Sequence, residues 1–397
     1  MWVVGNEIFM KKTRRKKIIA VFGTRPEAIK MAPLVHRLKE ESAGFDLKVL
    51  VTAQHREMLD QVLKLFRIEP DYDLDIMAQG QSLTEIAIKA LQGISPVLRK
   101  EAPDLILVHG DTSTTLIGGL AAFYHRIPVA HVEAGLRTHN RYSPFPEEMN
   151  RRLTGVLAEE HFAPTTTARA NLLAENVPAH RIMVTGNTVI DALLSVAARP
   201  QLALSDEVRA IPASRRILLV TTHRRENLER GLHRVYRGLQ DLLQEFTDLE
   251  VVFPVHLNPQ VRAEAADVLG GLSRVHLLEP LDYEPFVAVM RRAHLVLTDS
   301  GGIQEEAPAL GKPVLVLRDT TERPEAVAAG TVRLIGTERE RVYKETRSLL
   351  VDEAAYQRMA QAHNPYGDGK AARRITECLL WKYGFLPHRP EEFHPKG

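Results

Sequence analysis

Two series of short β-rich runs, each run followed by a longer stretch of helical period, constrain this chain more than any other feature. The first series is Ile18–Phe22, Leu47–Thr52, Leu105–His109, Val129–Val132, His161–Ala163 and Ile182–Thr185. The second is Ile217–Thr221, Val251–Val255, Val275–Leu278, Leu295–Thr298, Val314–Leu317 and Val332–Leu334. Such alternation predicts an α/β architecture with parallel sheets, because parallel neighbours must be joined by crossover helices. The first unit shows the logic: a strand ends in Gly23-Thr-Arg25, and Pro26 suits the first turn of the helix that follows. Ile29, Met31, Leu34, Val35 and Leu38 then recur at helical spacing and mark its buried face.

A chain of 397 residues is too long for one ordinary core and fits two domains. We place them at 16–186 and 187–370, with an active-site cleft between them. A helix predicted from about Ala371 to Trp381, within a segment 371–397, is expected to cross back onto the first domain. Residues 1–15 read as a poorly ordered basic tail, with Met10 an alternative start. The basic run Lys11–Lys17 resembles the start of a signal peptide, but the apolar run behind it, Ile18–Phe22, is too short.

Composition excludes several classes. A formal charge of +2 gives no reason to expect nucleic acid or an anionic membrane as a partner, and no apolar segment approaches the ~20 residues of a membrane span. The single cysteine, Cys378, rules out an intrachain disulfide framework, suits a reducing cytoplasm, and reads as a packed residue. Gly367-Asp-Gly-Lys-Ala-Ala372 matches a dinucleotide fingerprint, but no strand precedes it. With no P-loop, HExxH or CxxC motif, neither ATP hydrolysis nor a structural or catalytic zinc has support.

In open parallel sheets ligands bind beyond the carboxyl ends of the strands, so the residues there test function. After Leu297 the chain reads Asp299-Ser-Gly-Gly-Ile-Gln-Glu-Glu306, a glycine turn opening onto a helix. Its free N–H groups suit a phosphate, and Glu306, a turn further on, is placed to accept from a ribose hydroxyl. The ligand expected is therefore a nucleotide. In the first series the strand ends carry Arg25, Gln54-His-Arg56, His109-Gly-Asp111 and His131-Val-Glu133. In the second they carry His223-Arg-Arg-Glu226, His256 and Arg318 to Pro324. Taken alone, Asp111 reads as an N-cap for a helix starting near Thr112. Glu147 and Glu148 read as dipole compensation in a first turn, and His223 with Arg224 as an ion-pair cluster. Glu133 has no capping role and would be costly if buried unpaired. Their joint position at strand ends is what argues for a site.

With these residues assembled, the chain resembles the non-hydrolysing UDP-N-acetylglucosamine 2-epimerases, which have the two-domain Rossmann-like fold of the GT-B glycosyltransferases. The likeness runs from about Lys17 to Leu380. It is carried by Phe22-Gly-Thr-Arg-Pro-Glu-Ala-Ile-Lys-Met-Ala-Pro33, Thr52-Ala-Gln-His-Arg56, His109-Gly-Asp-Thr112, His131-Val-Glu-Ala-Gly-Leu-Arg137, His223-Arg-Arg-Glu-Asn227, Pro254-Val-His-Leu-Asn-Pro259 and the Asp299–Glu306 segment. The resemblance implies interconversion of UDP-N-acetylglucosamine and UDP-N-acetylmannosamine in the cytoplasm, by loss and readdition of UDP through a 2-acetamidoglucal, supplying cell-envelope polysaccharide. It makes Asp111, Glu133, Glu147 and His223 catalytic, without deciding which takes the proton. Arg25, Lys30, Phe286, Ser300, Gly301, Gly302, Glu306 and Arg323 would hold UDP. Gln54, His55, Gln81, Arg224 and His256 would hold a second, activating molecule of UDP-N-acetylglucosamine. A homodimer is also implied, with no cofactor and no metal. A GT-B glycosyltransferase using a UDP-sugar, a hydrolysing epimerase and a non-catalytic nucleotide-sugar sensor stay open as alternatives.

Overall fold

A computed structural model describes residues 14–53, 56–76, 78, 80–224 and 231–395. The chain falls into two compact units, one holding the residues up to Thr188 together with Lys370–Phe393, the other Val189–Gly369.

The first unit is built on a seven-stranded parallel sheet of β1 (Lys16–Phe22), β2 (Phe45–Val51), β3 (Tyr72–Asp73), β4 (Leu105–His109), β5 (Val129–Val132), β6 (Glu160–Ala163) and β7 (Ile182–Val184). Their order is β3-β2-β1-β4-β5-β6-β7. Ile18 to Phe22 and Leu105 to Val108 are fully buried, as strands covered by helices on both faces must be. The helix Arg25–Glu40 starts at a capping box, in which the Thr24 side chain accepts from the Glu27 backbone and the Glu27 side chain returns to Thr24. Its buried face, Ile29, Met31, Leu34, Val35 and Leu38, is the one the spacing predicts. Against this helix packs the last one, Ala371–Lys382, through a face that includes Ile375, Cys378 and Leu379. Burial pushes the Cys378 thiol up to about 12, so it behaves as a packed apolar residue.

The second unit repeats the design with β8 (Arg216–Thr221), β9 (Leu249–Pro254), β10 (Val275–Leu278), β11 (Leu295–Thr298), β12 (Val314–Val316) and β13 (Val332–Leu334), all parallel, in the order β10-β9-β8-β11-β12-β13. Both orders are Rossmann-like. In each, the topology reverses between the first and fourth strands, β1 and β4 in one unit and β8 and β11 in the other, where such folds bind ligands.

The β-rich runs all appear within a residue or two of their expected ends. The exception is β3, a two-residue strand unannounced by any apolar run. Arg14 and Arg15, assigned to the tail by sequence, make definite contacts: Arg14 Nη2 donates to Asp104 at 2.8 Å, and Arg15 Nη2 to the Phe45 carbonyl at 2.9 Å. Gly367 and Gly369 follow the helix Glu353–Ala360 rather than a strand. Among the described residues no helix is long and apolar enough to cross a membrane.

The segment after β5 turns at Gly135, whose φ of +90° is open to glycine but strained for other residues. A Cβ there would lie 2.3 Å from the Ala168 carbonyl oxygen, which is backbone and cannot move aside cheaply. Gly135→Ala is expected to cost on the order of 2–4 kcal/mol. A urea unfolding midpoint equal to that of the wild type would show that the turn relaxes instead.

Candidate functional site

In the first unit the two strands at the reversal point are fastened together by a buried carboxylate. Glu27 Oε2 accepts from the Gly23 and Thr24 backbone N–H groups at 3.1 and 2.8 Å and from the Thr24 hydroxyl at 2.8 Å, all beyond β1. Its Oε1 accepts from the Thr112 hydroxyl beyond β4 at 2.7 Å. The Thr115 hydroxyl, with one proton, is shared between that oxygen and the His109 carbonyl. Burial raises the Glu27 pKa, and these hydrogen bonds oppose the rise. Gly23 makes the arrangement possible, because a Cβ there would overlap Thr52 Oγ1 at 1.9 Å.

Beyond β5, Glu133 is 7% exposed and has φ of +62°, an uncommon conformation for a residue with a side chain. Its Oε1 is paired with Lys30 and accepts from Asn187 Nδ2 at 2.9 Å. Burial works to raise its pKa, but the Lys30 ammonium and the Asn187 bond prevail and hold it well below the usual carboxylate range. His109 Nε2 stands 4.0 Å from the other oxygen. Both ring nitrogens of His109 are buried without a hydrogen-bond partner among the described residues, and burial lowers its pKa to about 4, so the ring is neutral at pH 7. His131 and His161, register neighbours on β5 and β6, are neutral for the same reason, near 3 and 4.

Asp111, beyond β4, is not the helix cap that it resembles when taken alone. The cap of Ser113–Tyr124 is Thr112, whose hydroxyl accepts from the Thr115 N–H. Asp111 Oδ2 instead accepts from Arg151 Nε and Nη2 at 3.1 and 2.8 Å, and its carbonyl from Asn150 Nδ2 at 2.9 Å. Burial raises its pKa, Arg151 opposing and the like charge of Glu133 adding to the rise. Asn150 and Arg151 belong to the helix Glu147–Leu157, three and four residues after its first residue, so Glu147 shares their face. The Glu147 and Glu148 pair divides its work. Glu148 is fully buried and accepts from the Thr138 and His139 N–H groups at 3.0 and 3.3 Å, whereas Glu147 is half-buried at the helix start. Arg25 opens the helix after Thr24, also half-buried.

In the second unit, Ser300 is the N-cap of Gly301–Ala309 and makes no side-chain cap bond, so Gly301 and Gly302 begin the helix at an N-terminus uncapped by Ser300. Glu306, one turn on, accepts from the buried Tyr283 hydroxyl at 3.0 Å. Phe286, half-buried in the helix Tyr283–Arg292, packs on the unit's core. Arg323 is paired with buried Glu305. Asp299, fully buried just before Ser300, accepts from the His223 and Arg224 backbone N–H groups at 3.0 and 2.9 Å, and from His223 Nδ1 at 2.9 Å. Burial works to raise the Asp299 pKa, and the His223 bond with the two backbone bonds lowers it below the ordinary value.

Of the residues tied to a second nucleotide sugar, Gln54 and His55 lie outside the described residues. Gln81 is engaged in its own loop, its amide oxygen accepting from the Ala78 N–H at 2.7 Å and its amide nitrogen donating to the Ile76 carbonyl at 2.9 Å. His256 lies beside His223, with ring centroids 5.8 Å apart, and Arg224 Nη2 is 3.8 Å from Glu322.

Sequence reasoning gave no role to Asn187, Asn150, Arg151, His109 or the Asp299 side chain. Asn187 directly follows the predicted strand Ile182–Thr185 and its Gly186 turn, which is the signal that could have found it.

A profile of the UDP-N-acetylglucosamine 2-epimerase family matches residues 36–380. The chain is 59% identical over 371 residues to the UDP-N-acetylglucosamine 2-epimerase of Escherichia coli K12, covering 91% of this chain and 98% of that one. It superposes with a TM-score of 0.91 on the crystal structure of the corresponding protein from Listeria monocytogenes, at 50% identity over 96% of this chain and all of the other. The Neisseria meningitidis enzyme, solved bound to UDP-N-acetylglucosamine, gives 0.83 at 50% identity over 92% of this chain and all of the other. Two Rossmann-like units, each on a parallel sheet, together with these relatives define an enzyme of the GT-B fold. Within that class, the chain belongs to the UDP-N-acetylglucosamine 2-epimerase family.

The Lys30–Glu133 pair generates a pH-dependent expectation. Because the Glu133 pKa is depressed on folding, its stabilising contribution is present above the unfolded carboxylate value of ~4.3 and is lost as pH falls through the folded value. In Lys30→Met the carboxylate loses its cation and must be buried unpaired or protonated. The variant is expected to lose about 3–5 kcal/mol at pH 7. That deficit should shrink towards pH 5, where the unpaired carboxyl can take a proton. Chemical denaturation at the two pH values measures this, and a deficit that grows on acidification would contradict the pairing.

Proposed function

We propose that the chain interconverts UDP-N-acetylglucosamine and UDP-N-acetylmannosamine without hydrolysis, by eliminating UDP across C1 and C2 and adding it back. One observation carries the reading: two carboxylates at strand ends of the same unit have different partners, Glu133 being held by Lys30 and Asn187 and Asp111 by Arg151, with burial acting to raise the proton affinity of Asp111 and Lys30 to lower that of Glu133. Divergent pairs of this kind separate a proton carrier from a permanent anion.

The C2 proton is not acidified by a neighbouring carbonyl, so cleavage of the C1–O bond must build positive charge on the ring before or while the proton leaves. Glu133, ionised throughout, steadies that charge. The bonding pair of C1–O departs with UDP, and the C2 proton passes to a carboxylate, leaving a C1–C2 double bond. Inversion requires a proton to return on the opposite face, so two proton carriers serve better than one. Asp111, bonded to Asn150 and Arg151, and Glu147, at the start of the helix that carries those two residues, are the candidates for the two carriers. In the second unit, the Ser300–Gly302 turn takes the diphosphate and Glu306, held by Tyr283, takes the ribose. Membership of the epimerase family and the complex of the Neisseria relative with UDP-N-acetylglucosamine support the same substrate.

Incubation with UDP-N-acetylglucosamine in D₂O, followed by NMR, tests the proposal. UDP-N-acetylmannosamine carrying deuterium at C2 is expected. Free N-acetylmannosamine with UDP would mean hydrolysis, and an unchanged substrate would shift the reading to a glycosyltransferase or sensor. Asp111→Asn, Glu133→Gln and Glu147→Gln should each lower turnover by ~10² or more with KM altered only a few-fold, and any one with wild-type turnover leaves the mechanism.

A further inference from the structure

His223 is placed among the catalytic residues by resemblance, yet a histidine can act only if one ring nitrogen is committed and the other presented. The structure supplies the commitment. Asp299 Oδ1 lies 2.9 Å from His223 Nδ1, and the carboxylate is fully buried while the imidazole is 37% exposed. The same carboxylate accepts from the His223 and Arg224 backbone N–H groups, so its orientation is fixed independently of the ring. An ionised carboxylate only accepts hydrogen bonds; the proton between the two groups therefore belongs to Nδ1. Nε2, across the ring, is turned away from Asp299 and is the nitrogen whose proton can come and go.

The position of Asp299 sharpens the argument. It stands one residue before Ser300, at the head of the helix whose N-terminus is the anion turn. A bare carboxylate there would oppose a diphosphate. Bonded to His223 Nδ1 and to two backbone N–H groups, its charge is met by these donors instead of facing a bound phosphate.

Resting on the epimerase reading above, we propose that Asp299 is a positioning residue: its carboxylate holds His223 in the Nδ1–H form, so that Nε2–H of the imidazolium faces the departing diphosphate. As the C1–O bond breaks and its electron pair goes to the β-phosphate oxygen, Nε2–H donates to that oxygen, and the contact is reversed on readdition. His256 lies beside the ring, Glu322 is 3.8 Å from Arg224, and Asp299 is the one carboxylate in contact with His223 among the described residues.

The experiment is a double-mutant cycle of Asp299→Asn and His223→Gln, read in kcat, KM and UDP affinity. Asp299→Asn is expected to lower kcat by roughly 10² to 10⁴ while KM and UDP affinity move less than about 3-fold. In the His223→Gln background the same change should cost less than about 3-fold more, because the residue acts through the ring. Equal losses in both backgrounds, or wild-type kcat for Asp299→Asn, would overturn the proposal. A second measurement covers the case of a misfolded variant: ¹⁵N NMR of the wild-type imidazoles, with His223 assigned by its loss in His223→Gln. A ring carrying a proton on Nδ1, as the neutral Nδ1–H form or as the imidazolium, supports the pairing, and a neutral ring protonated at Nε2 alone overturns it. A wild type that folds and binds UDP but leaves UDP-N-acetylglucosamine unchanged would sink the epimerase reading instead, and the imidazole spectrum would still decide the pairing.

Discussion

The arrangement on which most else depends is a buried carboxylate spanning the point where each sheet reverses its strand order. In the first unit Glu27 gathers the N–H groups beyond β1 and the hydroxyl of Thr112 beyond β4. In the second, Asp299 at the end of β11 gathers the N–H groups beyond β8. Strand ends at a reversal point diverge, and loops there have no ladder to hold them. A carboxylate with several donors is a strong way to fix them, since each bond is charge-assisted and the desolvation cost is met locally. The two solutions are not copies: one comes from the helix after the first strand, the other from the residue ending the fourth.

Once these loops are fixed, electrostatics divides labour among groups of one chemical type. Asp111 and Glu133 are both acids at strand ends, and composition alone cannot tell them apart. Their neighbours do: a lysine and an amide on Glu133, burial opposed by an arginine on Asp111. The neutral histidines of β4, β5 and β6 add polar volume beneath the site without adding charge.

Much of this was legible in the sequence, for identifiable reasons. Runs such as Ile18–Phe22 and Leu105–His109 announce covered strands because both faces need apolar side chains. β3 escaped because two residues, one of them Asp73, carry no pattern. The helix at 371 onwards is expected from sequence to return to the first unit; in the structure Ala371–Lys382 contacts Arg25–Glu40. What could not be read was the pairing of charges. Lys30 and Arg323, assigned to UDP, are held by Glu133 and Glu305, partners distant in sequence. Asp111 looked like a cap because the true cap, Thr112, is adjacent and of equal capping ability.

The return of the last helix has a consequence for synthesis. The helix Arg25–Glu40 is made early in translation, but one of the elements packed against it, Ala371–Lys382, is among the last to be made. At ordinary elongation rates the first helix waits on the order of tens of seconds for that neighbour. The first unit is thus completed only when the chain is nearly finished, and a chain halted before Ala371 lacks an element that Arg25–Glu40 packs against.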